Sequence, residues 1–426
     1  MFNNLICICI IFLSFSCVRH EAKKSGNKTD GTESEETKVI SNVADVTIGK
    51  VIFYLENSES MFGYLNGSSQ YVDVVSELSE KPLFVAEDIK REFILINGGD
   101  LKINNIGDNP VILKSKLNKS GFNCGDITKS NLNGMFQLAL EKAKNDTITL
   151  LISDGIYDIE QPMIPLNNLE ILGKETRSKF IKRLQNGDLE TILIKLVSDF
   201  NGEYYYSSRH GKNIIKGPRP FYIWIFGKSE LLNKYFTEDY FTQSLKGYKD
   251  YARFLTIKDN NIPYQITPSV TGKGSFRPDH KDKYKLVNVA PERHGAGFQF
   301  SFAVDFSSLP FPDSYLTSIT NYSSNLSYNV IKVEAIKNSQ KFQVIDFKNP
   351  THIITVFTNK SPYGKLEISL KNQTPNWINE TNINDESIID STHTFGFGYL
   401  TNGITDAYSY INGSKPLATF QIEISK

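Results

Sequence analysis

Two continuous apolar runs constrain this chain more than any other feature: Val51-Ile52-Phe53-Tyr54-Leu55, and the stretch from Ile148 to Ile152. A strand wetted on one side alternates apolar and polar residues. A run without alternation belongs to a strand buried on both faces, as in a parallel sheet covered by helices. Each run stops abruptly, the first at Glu56-Asn57-Ser58-Glu59-Ser60-Met61 and the second at Ser153-Asp154-Gly155. The polar groups that follow such strands sit at the carboxyl edge of the sheet, where open α/β folds bind their ligands.

The segments between and after these runs complete an alternating pattern of strand and helix. Residues 72–91 carry helix interrupted at Pro82, and Phe93–Ile96 with Leu101–Ile106 read as a hairpin around Gly98-Gly99. A helix opens at Ser130 or Asn131, because Leu132, Met135, Phe136, Ala139, Leu140 and Ala143 recur on one face. A helix over Thr176–Leu184, strands near Leu189–Val197 and Phe221–Phe226, and a short helix from Ser229 follow. Alternation of this kind predicts an open, mostly parallel sheet flanked by helices over residues 40–244. Beyond 245 the texture changes to short β-prone runs separated by Asn, Ser, Pro and Gly. They are Val287–Val289, Phe298–Phe306, Asn329–Ala335, Phe342–Phe347, His352–Phe357, Lys365–Leu370, His393–Tyr399 and Ala418–Ile424. Residues 245–426 are therefore expected to form a β-rich, sandwich-like domain.

The N-terminus reads as a lipoprotein signal peptide over residues 1–16. The apolar run from Leu5 to Phe15 is shorter than the roughly 20 residues a membrane-spanning helix needs, and it closes on Ser14-Phe15-Ser16-Cys17. Cys17 then receives the lipid. The match resembles a loose lipobox, with Leu13 one place early and no Lys or Arg before the apolar run. Residues 17–39 hold the lipidated cysteine and a polar tether without aromatic residues, unable to bury enough surface to fold. Of the four cysteines, Cys7 and Cys9 lie in the signal, Cys17 is acylated, and Cys124 stands alone, so no internal disulfide is expected. These features predict a protein of the cell envelope, periplasmic or surface-exposed, held to the membrane through Cys17.

At Glu56-Asn57-Ser58-Glu59-Ser60 the sequence resembles the von Willebrand factor type A (VWA) family, which carries Asp-x-Ser-x-Ser after its first strand. Ser58 and Ser60 match the two serines, Met61 a common apolar follower, and Glu56 stands in place of the aspartate. Ser130 matches the family's second-loop threonine, with Thr128 less well placed, and Asp154 matches the aspartate after the fourth strand. The resemblance covers about residues 46–240 and implies a degenerate metal-ion-dependent adhesion site made by Glu56, Ser58, Ser60, Ser130 and Asp154. Such a site would hold Mg²⁺ or Mn²⁺ and take a carboxylate from a protein partner as its last ligand. Its hydroxyls and few carboxylates leave the ion's charge incompletely neutralised, which suits recognition.

Other functions have less support in the residues. Lys plus Arg and Asp plus Glu are 47 each, so no basic field points to nucleic acid. Neither an Asp-x-Asp nucleophile nor a Gly-x-Ser-x-Gly elbow is present, and catalytic residues are accordingly not assigned. His210 and Trp377 read as loop or core residues, and Cys124 as a small buried hydrophobe. A lipid-anchored binding protein is the leading expectation. A metal-free structural subunit of an envelope assembly, or a Mg²⁺-dependent hydrolase, are the alternatives.

Overall fold

A computed structural model describes residues 46–67, 69–80, 89–159, 165–205, 212–257, 261–267, 273–292, 297–336, 350–386 and 390–426. The signal peptide, Cys17, the tether, His210 and the run Phe342–Phe347 lie outside these residues. Among those described, no helix is long and apolar enough to cross a membrane.

The first sheet has seven strands: β1 (Lys50–Glu56), β2 (Lys90–Asn97), β3 (Lys102–Gly107), β4 (Thr147–Ser153), β5 (Glu190–Tyr205), β6 (Lys212–Gly227) and β7 (Tyr248–Phe254). Their order is β3-β2-β1-β4-β6-β5-β7. The unbroken apolar runs are explained by the two cores they feed. Val51, Phe53 and Leu55 of β1, with Ile148, Leu150 and Ile152 of β4, point into one core. Ile52, Tyr54 and Leu151 point into the other. Helices cover both faces: α1 (Gln70–Glu80), α2 (Pro110–Lys116), α3 (Lys119–Phe122), α4 (Leu132–Lys142), α5 (Pro165–Leu184), α6 (Ser229–Tyr235) and α7 (Glu238–Ser244). Residues of α1, α2, α3, α6 and α7 join the first core, and residues of α4 and α5 join the second.

The sheet is mixed, which corrects the expectation of a mostly parallel one. Its parallel part is the β2-β1-β4 core, whereas β3, β6, β5 and β7 all pair antiparallel. For β5 and β6 the reason lies in their connection. Only residues 206–211 join these two sixteen-residue strands. A parallel crossover takes a dozen residues or more, so a link this short makes a hairpin.

The second half contributes β8 (Tyr264–Ile266), β9 (Ser275–Pro278), β10 (Lys285–Ala290), β11 (Phe298–Val304), α8 (Asp313–Leu316), β12 (Tyr322–Ser324), β13 (Asn329–Ala335), β14 (His352–Thr358) and β15 (Gly364–Leu370). After these come α9 (Asn376–Thr381), β16 (Asn382–Ile383), β17 (Thr394–Phe395), α10 (Phe397–Asn412) and β18 (Ala418–Ile424). Two sheets, β13-β14-β11-β8 and β12-β15-β18-β10-β9, share one apolar core that includes Phe300, Phe302, Ile354, Ile368 and Phe420. This is the β-rich region expected from sequence, although β10 and β18 pair parallel.

Two features cross the boundary expected at residue 244. Strand β7 completes the first sheet, and its buried Arg253 pairs with Glu190 at the start of β5. The run His393–Tyr399, expected to be a strand, is a two-residue strand followed by α10. Phe397, Leu400, Ile404, Ala407 and Tyr408 of α10 join the core beneath α4 and α5. The alternating aromatics Phe395, Phe397 and Tyr399 imitate a strand, while the helical spacing that overrides them continues to Tyr408.

Helix α10 lies close against α5. A Cβ at Gly403 would collide with the carbonyl oxygen of Gly173, and one at Gly173 would come 2.8 Å from the carbonyl oxygen of Tyr399. Overpacking of this kind costs about 1–3 kcal/mol. Gly403→Val is expected to lower unfolding stability by about 2–3 kcal/mol in urea titrations. An unchanged midpoint would contradict the close α5–α10 contact.

Candidate functional site

The register of the parallel core builds the site. Leu55 of β1 lies opposite Ile152 of β4, so the two strands end together and Glu56 emerges beside Ser153 and Asp154. After β1 the chain folds into a short 3-10 segment, Glu59–Tyr64, with Met61 and Tyr64 buried beneath it. Asn57 turns inward, and its Nδ2 donates to the carbonyls of Phe122 (2.8 Å) and Cys124 (3.0 Å). Ser58 and Ser60, on either side of Glu59, remain on the site.

The loop before α4 is drawn against this edge by backbone hydrogen bonds. Glu59 N–H donates to the Ile127 carbonyl at 2.9 Å, and Gly98 N–H to the Lys129 carbonyl at 2.8 Å. Asn131 caps α4, its Oδ1 accepting from Gly134 N–H at 2.8 Å. Because Asn131 fills that role, the Ser130 hydroxyl is available to the site.

The structure brings together all five residues singled out from sequence. Glu56 Oε1 accepts from Ser58 Oγ at 2.7 Å and from Ser130 Oγ at 2.5 Å. Ser58 Oγ and Ser60 Oγ are 3.0 Å apart, and the Ser60 hydroxyl also reaches Asp154. Asp154 Oδ1 accepts from Ile156 N–H at 3.2 Å. Thr128 is turned to Asp126, donating to its Oδ1 at 2.7 Å. Glu56 is 1% exposed and Asp154 2%, yet among the described residues Glu56 Oε2 and Asp154 Oδ2 have no hydrogen-bond partner. Two buried carboxylates with one unsatisfied oxygen each are costly unless a cation or proton answers them.

Protonation answers part of that cost. Burial pushes the Glu56 carboxyl up to about 7, with the nearby charge of Asp154 adding to the rise; the hydroxyls of Ser130, Ser153 and Ser58 oppose it. Burial also raises Asp154, opposed first by the Arg219 guanidinium and then by the Ser60 hydroxyl and the Ile156 N–H.

Arg219 is a residue of this charged cluster that the sequence reading missed. It is 2% exposed on β6, with its guanidinium 5.0 Å from the Tyr204 ring and 5.5 Å from the Phe200 ring. The sequence signal was its place in Gly217-Pro218-Arg219-Pro220, a charge set directly before the apolar run of β6. Above the sheet edge, the far half of the β5–β6 hairpin forms a wall. Tyr204 and Tyr205 from that wall, with Glu56, Ser58, Ser60 and Ser130, line a cavity of about 130 Å³.

Among the described residues no group of three or more His, Cys, Asp or Glu side chains is placed to hold a metal. Any ion here would depend on the serine hydroxyls as well as the two carboxylates. Compared with known proteins, the sequence matches no family model and no curated protein.

The raised value of Glu56 fixes a pH dependence. The folded state binds this proton more tightly than the unfolded chain, so the contribution of Glu56 to stability is fully present below pH 4.5 and is lost as pH rises through about 7. That span corresponds to roughly 3 kcal/mol. In EDTA, the melting temperature should therefore fall across this window. Glu56→Gln should flatten the fall and raise the melting temperature at pH 8. A pH profile shared by both proteins would show that Glu56 is not the group responsible.

Proposed function

We propose that this chain is a lipid-anchored binding protein of the cell envelope, whose VWA-like domain holds Mg²⁺ or Mn²⁺ in a degenerate adhesion site and meets a protein partner there. The observation that carries the reading is the pair of buried carboxylates, each with an unpartnered oxygen, set among three serine hydroxyls where two parallel strands end. An all-oxygen donor set suits hard cations such as Mg²⁺ and Mn²⁺. Ser58, Ser60 and Ser130 would hold the ion with Asp154 and Glu56, and Arg219 would temper the negative charge behind them. The ion supplies a Lewis-acidic position to which a partner's carboxylate can bind. Glu56 is one methylene longer than the family's aspartate, roughly 1.5 Å of extra reach, which leaves the site weaker than its relatives.

A second reading, a structural envelope subunit without metal, is favoured by the hydrogen bonds from Ser58 and Ser130, which already satisfy Glu56 Oε1. Isothermal titration with Mg²⁺ and Mn²⁺ separates the two. Glu56→Asp is expected to tighten binding about tenfold, the effect of about 1.4 kcal/mol. Ser60→Ala is expected to weaken it in either background. No saturable heat in wild type and Glu56→Asp would leave the structural subunit as the function. A Mg²⁺-dependent hydrolase would instead turn over p-nitrophenyl phosphate, and no turnover is expected.

The anchor is tested separately. Cys17→Ala should move the protein from the membrane fraction to the soluble one, since stable anchoring takes more than one acyl chain. An alanine variant that stays membrane-bound after a carbonate wash would refute the lipid anchor.

A further inference from the structure

The cavity above the serine cluster has a charge and a shape that the metal reading leaves unused. Among the described residues its lining carries four carboxylates, Glu56, Glu59, Asp158 and Glu386, against one cation, Lys129. Three tyrosines, Tyr157, Tyr204 and Tyr205, supply its aromatic wall. Tyr204 donates its hydroxyl to Glu386 Oε1 at 3.0 Å, which fixes that carboxylate beside the ring. At the floor, Glu56 is 99% buried and its Oε2 accepts no hydrogen bond. A group entering here therefore meets an unsatisfied acceptor below, carboxylates around it and tyrosine rings at its side.

We propose that this cavity receives a basic side chain, arginine or lysine, from a partner protein. The inference rests on reading this sheet edge as a partner-binding surface and does not require the metal. A guanidinium or ammonium group donates in several directions, matching carboxylates that accept in several directions. Tyrosine faces attract a cation near the ring. The cavity, about 130 Å³, has room for one head group with water and too little for a folded element. A partner carboxylate entering alone would face an excess of acidic side chains, so a partner that reaches this edge brings positive charge with it.

The test uses the full-length protein in EDTA, with saturation-transfer NMR and competition titration. The probes are blocked tripeptides, acetyl-Gly-Arg-Gly-amide and acetyl-Gly-Glu-Gly-amide, with putrescine as a small diamine. The arginine peptide should bind saturably and the glutamate peptide should not. Glu59→Gln and Asp158→Asn should each weaken the arginine peptide about threefold, the size of one partly exposed charge pair. Binding of the glutamate peptide, or no saturable binding of the arginine peptide to wild type, overturns the proposal. Putrescine binding more tightly than the arginine peptide overturns it too, since the ligand would then be a free amine. Repeating the titration with Mg²⁺ keeps the two readings apart. Arginine-peptide binding in a protein with no metal heat sinks only the metal site, and metal heat without peptide binding sinks only this inference.

Discussion

Everything at the candidate site depends on β1 and β4 lying side by side in parallel and ending at the same level. Both strands are buried on both faces, so along their length no polar side chain can be afforded except Thr149, whose hydroxyl donates to the Ala139 carbonyl at 3.0 Å. Polar chemistry is confined to the strand ends, where the pleat gives way to loops. The flush register then brings the first polar residue of one loop, Glu56, against Ser153 and Asp154 of the other. A shift of one residue would exchange the faces of an entire strand and bury the wrong side chains, so packing in the two cores holds the site geometry.

The charges at that edge are arranged in depth. Arg219 lies behind Asp154 and under two aromatic rings, Glu56 stands in front among hydroxyls, and Glu59 and Asp158 lie at the opening. The Arg219 guanidinium opposes the rise that burial imposes on Asp154, while burial and the charge of Asp154 raise Glu56 to about 7. Two carboxylates a short distance apart thus differ in character because of what stands behind each.

Much of the first layer was legible in the sequence because burial on both faces leaves an unmistakable mark. The runs at 51–55 and 148–152, the hairpin at Gly98-Gly99 and the amphipathic helix after Asn131 each became the element their pattern implies. The grouping of Glu56, Ser58, Ser60, Ser130 and Asp154 was also legible, since each stands at a strand exit or a helix entry. Strand direction was not. The runs at 189–197 and 221–226 look alike whether parallel or antiparallel, and only the short link at 206–211 decides between them. Helix α10 was hidden by aromatic alternation at its start, and Arg219 by its distance in sequence from Asp154. Asp154, the carboxylate that Arg219 acts on, is 65 residues before it, a separation that local patterning does not report.

The β5–β6 hairpin has a further property that follows from its length. Strand β6 pairs with β4 only from Tyr222 to Phe226, while from Lys212 to Phe221 its described pairing is with β5 alone. A strand edge without a third strand beside it is the kind on which other chains add themselves in aggregates. Pro218 and Pro220 sit on it two residues apart and opposite Asp199 and Val197. Alternate residues of a strand direct their amides the same way, and proline is tolerated where the missing N–H would have faced outward. That edge is thereby stripped of two successive donors, and the carbonyl of buried Pro220 already accepts from the Tyr64 hydroxyl, so an incoming strand finds no ladder to continue. The wall can project beyond its sheet without becoming sticky.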